Sequence, residues 1–318
     1  MNPAKRLALP QNLAEAAESE GRRQWLTTVL PEIVGRARKR WSLTVGEPFQ
    51  PGGQTAWVAP VRDAAGADLV LKVAWPHPEA AHEADGLRAW AGHGAVRLHA
   101  AYDFGAAHAL LIERCRPGTE LSCRPEPEQD TVIAALLRRL WISPGRGHPF
   151  VSLEQMCRSW ADRFEQCGAA GAPRLDPGLA RAGIALLREL PVTADPPVLL
   201  CTDLHAGNVL AAAREPWLVI DPKPHVGDPA YDPLQHMLNC EARLHADPGA
   251  WLAGWPACST WTRTACCRGC SPAACRSRPN GPPWPKSRGP SHPPSGSRTS
   301  WRLPGTGEDR RGPATRAP

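Results

Sequence analysis

Lysine is nearly absent from the middle of this 318-residue chain: between Lys39 and Lys223 there is one, Lys72. Long apolar runs are absent too. No stretch approaches the roughly 20 consecutive apolar residues of a membrane helix, which excludes a membrane-spanning helix. The opening MNPAKRLALPQNLAEAAESE holds no apolar leader core, so a cytoplasmic location is expected. No fixed period recurs, which excludes a solenoid. His77, His82, His93, His99 and His108 show no metal-ligand spacing and read as surface or packing residues. The cysteines are odd in number, 11, and no secretion signal accompanies them, which argues for reduced thiols.

Charge and composition break near residue 253. The segment 255–318 holds 12 Pro, 5 Cys, 10 Arg and a single large aliphatic residue, Leu303. So little apolar surface cannot offset the entropy of ordering, and 253–318 is expected to be a disordered basic tail. With 11 basic against 2 acidic residues, this tail carries more than the chain's whole net charge of +6. The body before it is slightly acidic, so the charge that would suggest a nucleic-acid partner is not a property of the body. Four readings of the tail compete. Cys267, Cys270 and Cys275 suggest a zinc module, but no second ligand pair is well spaced. A disulfide scaffold needs an oxidising compartment. Arginine with interspersed tryptophan would suit an RNA-binding arm. A shifted reading frame, the favoured reading, accounts for Trp, Cys, Arg and Pro together, because GC-rich codons read out of register give that mixture.

The body reads as two lobes of an α+β fold. Asn12 followed by Glu15 has the spacing of a capped helix start, over Asn12–Ser19. Helices are expected at Arg22–Leu30 and Glu32–Arg40, then strands at Trp41–Val45, Thr55–Val61 and Leu69–Ala74. A helix at Pro78–Trp90 and a strand pair, Val96–Tyr102 and Ala107–Glu113, complete a small antiparallel-sheet lobe over residues 1–115. After Arg116-Pro-Gly118 the pattern turns helical, at Glu128–Leu140, Leu153–Gln166 and Pro177–Leu190. A hairpin, Asn208–Ala212 with Trp217–Ile220, lies within this second lobe, residues 116–252. Strand lobe, short linker and helical lobe give the outline of a bilobal, protein-kinase-like fold.

Cys201-Thr-Asp203-Leu-His205-Ala-Gly-Asn208, followed by Trp217-Leu-Val-Ile-Asp221, carries the chemistry. Phosphoryl transfer needs a carboxylate for the hydroxyl proton, oxygen ligands for Mg²⁺ and a cation on the phosphates. Asp203 and Asn208 have the D-x-x-x-x-N spacing of a kinase catalytic loop. Asp203 is then the base, Asn208 a metal ligand, and Asp221, at the end of an apolar strand, the second metal ligand. Lys72 sits among apolar strand residues and needs an acidic partner. Glu83 on the following helix is the expected one, with Glu79 as competitor. Glu113, closing a strand at the lobe junction, lies where backbone groups could bond adenine or where a strand merely ends. Pro51-Gly-Gly-Gln-Thr55 reads equally as a nucleotide-covering turn or a plain one. Asp228 is expected to brace the catalytic loop and Asp232 to cap the next helix.

The stretch TDLHAGNVLAAAREPWLVIDPKPHVGDPAYDPLQHMLNCE closely resembles the aminoglycoside/hydroxyurea antibiotic-resistance kinases, and among them the streptomycin and hydroxyurea phosphotransferases. The resemblance runs less densely from about residue 10 to residue 248. It implies ATP with Mg²⁺ and transfer of the γ-phosphate to a hydroxyl of a small antibiotic. No membrane or specific nucleic-acid partner is expected, and a monomeric state is. It also implies Asp203 as base, Asn208 and Asp221 as metal ligands, Lys72 as the phosphate lysine and Glu83 as its helix partner. Two alternatives remain: a nucleotide-binding but inactive remnant that has lost acceptor-side helices, and, more weakly, a nucleic-acid binder acting through the tail. Cys201 departs from the histidine that many antibiotic kinases carry there, which puts local packing in question. The tail departs from the terminal helices of the family, so exposed apolar surface is expected on the helical lobe.

Overall fold

The computed structural model describes residues 7–171, 176–193 and 196–251, apart from 18, 248 and 250. The expected disordered tail lies outside the described residues. The chain begins with helix α1 (Gln11–Glu15), α2 (Glu20–Gln24) and α3 (Leu30–Arg40). A π-helical turn, Trp25–Val29, joins α2 to α3, so the helix runs on where the sequence suggested two pieces. Pro31 has no N–H to offer the preceding turn, and the wider turn absorbs that gap. The expected Asn12 cap is not made. Pro10 takes the cap position, and the Asn12 amide donates instead to Gly52 O at 2.7 Å.

Five strands follow: β1 (Thr44–Val45), β2 (Ala56–Arg62), β3 (Asp68–Ala74), β4 (Leu98–Asp103) and β5 (His108–Glu113). They form one antiparallel sheet in the order β1-β2-β3-β5-β4. β1 is shorter than expected. Helix α4 (Glu83–Trp90) crosses between β3 and β4, preceded by a 3-10 turn at Pro78–Ala80 where the sequence suggested one continuous helix.

Strand alternation sorts the side chains of β3. Leu69, Leu71 and Val73 face one way and pack with Leu30, Ile33 and Val34 of α3. Val70 faces the other way, into a core shared with Leu87 and Trp90 of α4 and Ile133 and Leu137 of the second lobe. Each such buried side chain contributes about 1.5–3 kcal/mol. Lys72 shares the face of Val70, so the same alternation that fills both cores aims one lysine into the cleft.

The helical lobe holds α5 (Glu126–Leu140), α6 (Leu153–Gly171) and α7 (Pro177–Glu189). Then come β6 (Val198–Leu200), β7 (Val209–Ala211), β8 (Trp217–Val219) and β9 (His225–Gly227), followed by α8 (Pro233–Asn239) and α9 (Glu241–Ala246). The expected β7–β8 hairpin is present; the β6–β9 pair was not foreseen from the sequence. Asp130 of α5 gathers the end of the described chain. It bonds His236 Nε2 at 2.9 Å and Trp251 Nε1 at 3.2 Å, and Arg243 through both guanidinium nitrogens at 3.2 and 2.7 Å. Apolar side chains do stand exposed on this lobe: Leu179, Leu186 and Leu190 on and just after α7, Leu234 and Leu238 on α8.

Candidate active site

Lys72 Nζ lies 2.7 and 2.6 Å from the two oxygens of Glu83 and 2.5 Å from Asp221 Oδ1. Lys72 and Glu83 are both buried. Burial opposes the charge on Lys72, but the carboxylates of Asp221 and Glu83 outweigh it and hold its pKa above the ordinary value. Glu83 opens the first turn of α4, and β3 sets Lys72 opposite it. Asp221 follows β8 with φ at 51°, a left-handed conformation that aspartate adopts at a cost and that turns its carboxylate into the cleft. Burial would raise the Asp221 pKa; Lys72 and Lys223 together hold it well below the usual carboxylate range.

The residues of the loop 201–208 come to the same place. Lys223 Nζ contacts Asp203 Oδ2 at 2.6 Å and Asp221 Oδ2 at 3.4 Å. Burial disfavours that ammonium, and Asp221 and Asp203 more than compensate, leaving its pKa far above normal. Asn208 donates its amide N–H to Asp203 O at 3.0 Å, which ties the two ends of the loop together and leaves its amide oxygen an acceptor. His205 Nδ1 accepts from Gly207 N at 3.1 Å and closes the turn between them. His77, read from the sequence as a surface or packing residue, sits close enough to this cluster to feel it. Burial and then the charge of Lys223 push its pKa down to about 4, so it is neutral at neutral pH.

Five of the six expected residues, Lys72, Glu83, Asp203, Asn208 and Asp221, therefore form one constellation. Glu113 is placed differently. Its N–H donates to Arg97 O at 2.8 Å, and its carboxylate accepts from Arg214 Nε and Nη2 at 2.9 and 2.8 Å. Arg214 also donates to Gly92 O and Ala95 O, at 2.7 and 3.1 Å. The β7–β8 turn is thus clamped to the end of β5. The Pro51–Thr55 turn is likewise tied to the N-terminal helices, with Arg22 donating to Gln54 O at 3.0 Å.

The two expected roles of Asp228 and Asp232 are exchanged. Asp232, fully buried, accepts from Cys201 N at 3.1 Å, Thr202 N at 2.7 Å and Trp141 Nε1 at 2.9 Å, and so braces the loop that carries Asp203. Asp228 caps the 3-10 turn Pro229–Tyr231 through Ala230 N at 2.9 Å. That turn rotates the chain so that the later carboxylate points inward. Cys201 packs fully buried against this brace, and burial raises its thiol pKa well above normal. Lys223 and Arg214 were not foreseen. A lysine two residues beyond Asp221, in a chain so poor in lysine, was the available signal.

The donor set suits a hard divalent cation. Asp221 supplies carboxylate oxygens, now held by two ammonium groups, and Asn208 an amide oxygen. Among the described residues no three His, Cys, Asp or Glu side chains converge as a closed metal cage. Mg²⁺ asks for none, since it takes one or two carboxylates together with phosphate oxygens and water.

Residues 40–251 match the aminoglycoside/hydroxyurea antibiotic resistance kinase family. The chain belongs to this family. Its five-stranded sheet lobe and helical lobe frame the constellation above. It is 40% identical over 214 residues to a hydroxyurea phosphotransferase of Kitasatospora aureofaciens, a match covering 66% of this chain and 61% of that protein, less than two thirds of its length. It is 34% identical over 236 residues to a streptomycin 6-kinase of Streptomyces glaucescens, covering 73% of this chain and 75% of the relative. A solved aminoglycoside-3'-phosphotransferase of type VIII aligns with a TM-score of 0.47 and 23% identity, over 76% of this chain and 93% of the other. Among the described residues no helix of this family member is long and apolar enough to cross a membrane.

Proposed function

We propose that the chain is an ATP-dependent O-phosphotransferase that moves the γ-phosphoryl group of ATP to a hydroxyl of a small antibiotic, a streptomycin-type aminoglycoside or hydroxyurea, in the cytoplasm. The observation that carries this reading is the Lys72 ammonium held between Glu83 and Asp221, with Asp203 and Asn208 beside them. Lys72 is fixed to receive the α- and β-phosphates, and Glu83 keeps it from collapsing wholly onto Asp221. Asp203 accepts the proton of the acceptor hydroxyl as its oxygen attacks the γ-phosphorus. Asn208 holds the backbone of Asp203 while offering its own oxygen to the cation. Mg²⁺, when bound by Asp221, Asn208 and the phosphates, supplies charge neutralisation on the transferring group.

Transfer of label from γ-³²P-ATP to streptomycin and to hydroxyurea tests the reading. Asp203→Ala is expected to lower kcat by about 10²–10⁴ while nucleotide binding persists. Absence of transfer to either drug by a chain that binds nucleotide, or a variant that keeps most of its rate, would sink it.

A further inference from the structure

We propose that Lys223 is a second phosphate-handling cation, which grips the catalytic base through one N–H and turns another to the transferring phosphoryl group. This rests on the kinase reading above and adds a residue to it.

The position of Nζ carries the argument. It lies 2.6 Å from Asp203 Oδ2 and 3.4 Å from Asp221 Oδ2, between the carboxylate that takes the hydroxyl proton and the carboxylate that takes the cation. In an in-line transfer the phosphoryl group would pass alongside that interval, between the base and the residues that would hold the cation, next to the ammonium placed there. An ammonium has three N–H donors. Two are directed at Asp203 and Asp221. Were Asp221 and Asn208 to hold a divalent cation, the N–H that Lys223 now shares with Asp221 would be free to donate to a phosphoryl oxygen.

The backbone of Lys223 is held as a surface lysine's would not be. Its N–H donates to Cys201 O at 2.9 Å, and its carbonyl accepts from the Thr202 hydroxyl. Both bonds run to the two residues immediately before Asp203, so lysine and base are carried on one support. Pro222 and Pro224 fix the chain on either side. Pro224 also presses on α4: a Cβ at Gly86 would stand 2.3 Å from Pro224 Cγ. The segment that aims Lys223 therefore also touches the helix that carries Glu83.

The transfer balances without a proton from Lys223. The acceptor O–H bond breaks and its proton passes to Asp203. The acceptor oxygen bonds to the γ-phosphorus as the bond from that phosphorus to the bridging oxygen breaks, and ADP leaves with the electron pair. Lys223 donates hydrogen bonds throughout.

The test compares ADP·Mg²⁺ alone with ADP·Mg²⁺ plus aluminium fluoride, a mimic of the phosphoryl group in flight, each titrated into the full chain and into Lys223→Met. The variant is expected to lose about ten- to a hundredfold in affinity for the mimic, the worth of a charged hydrogen bond, while its affinity for ADP barely moves. Lys223→Gln, which keeps volume and a donor but no charge, provides the same comparison should the methionine variant not fold. In turnover, kcat falls about 10²–10³ with KM for ATP little changed, and ethylammonium partly restores Lys223→Ala. Equal losses for ADP and the mimic, or no loss for the mimic, overturn the assignment of Lys223 alone. A full chain that binds no nucleotide overturns the kinase reading and this inference with it.

Discussion

Asp232 Oδ1 accepts a 2.7 Å hydrogen bond from the N–H of Thr202, a residue held at φ 51°. A left-handed β-branched residue costs on the order of 1–3 kcal/mol and persists only where its surroundings over-determine it. Here they do. Asp232 also takes the Cys201 N–H, and the Thr202 hydroxyl reaches Lys223 O. The twist so fixed is what points the next residue, Asp203, into the cleft.

Asp232→Asn should disturb that twist, because an amide nitrogen must now face a backbone or indole N–H. We expect kcat to fall with little change in ATP affinity, and steady-state kinetics beside nucleotide titration check it. The variant also has a pH signature. Burial raises the Asp232 pKa from 3.8 to about 6, against the hydrogen bonds from Trp141, Thr202 and Cys201. Since the folded pKa exceeds the unfolded one, the folded state binds the extra proton. Its contribution is fully present below about pH 4, declines as pH rises to about 6, and is flat above, a span of about 3 kcal/mol. The stability difference between parent and Asp232→Asn, from urea melts, should therefore shrink between those two pH values and then stay constant.

Gly86→Ala places a methyl group 2.3 Å from Pro224 Cγ and 3.0 Å from Trp90 Cζ3. Proline cannot swing aside, so α4 must move away from the Pro222–Pro224 segment. Such overpacking costs about 1–3 kcal/mol. Because Glu83 and Gly86 share α4, ATP affinity should drop along with the melting temperature. An alanine variant with parental nucleotide binding would show that the two sites are not mechanically linked.

Breaking the clamp at the lobe junction is the third case. Arg214 and Glu113 meet through two hydrogen bonds, with side-chain exposures of 20% and 17%. Arg214→Met and Glu113→Gln should each destabilise. A double-mutant cycle on denaturation free energies should give a coupling of about 0.5–3 kcal/mol, well above that of an exposed pair. Additive effects would mean the contact is incidental.

Lys72, Glu83, Asp203, Asn208 and Asp221 were legible because their relations are local: a lysine in a strand before a helix, and a loop with fixed spacing before a hairpin. The exchange between Asp228 and Asp232 was not, since it depends on one 3-10 turn at Pro229–Tyr231 that rotates the later carboxylate inward. Lys223 was hidden for a related reason. Its role comes from where a long side chain ends, and sequence spacing records only where it begins. The β6–β9 pair was missed because three-residue strands far apart in sequence are stabilised by their partner rather than by local pattern.

The knot on Asp130 has a genetic side. His236, Arg243 and Trp251 all tie to that one carboxylate, so the helical lobe is fastened by residue 251. The bonds that fasten the lobe are made wholly within residues 130–251, and a change in the gene beyond that codon alters none of the side chains that make them.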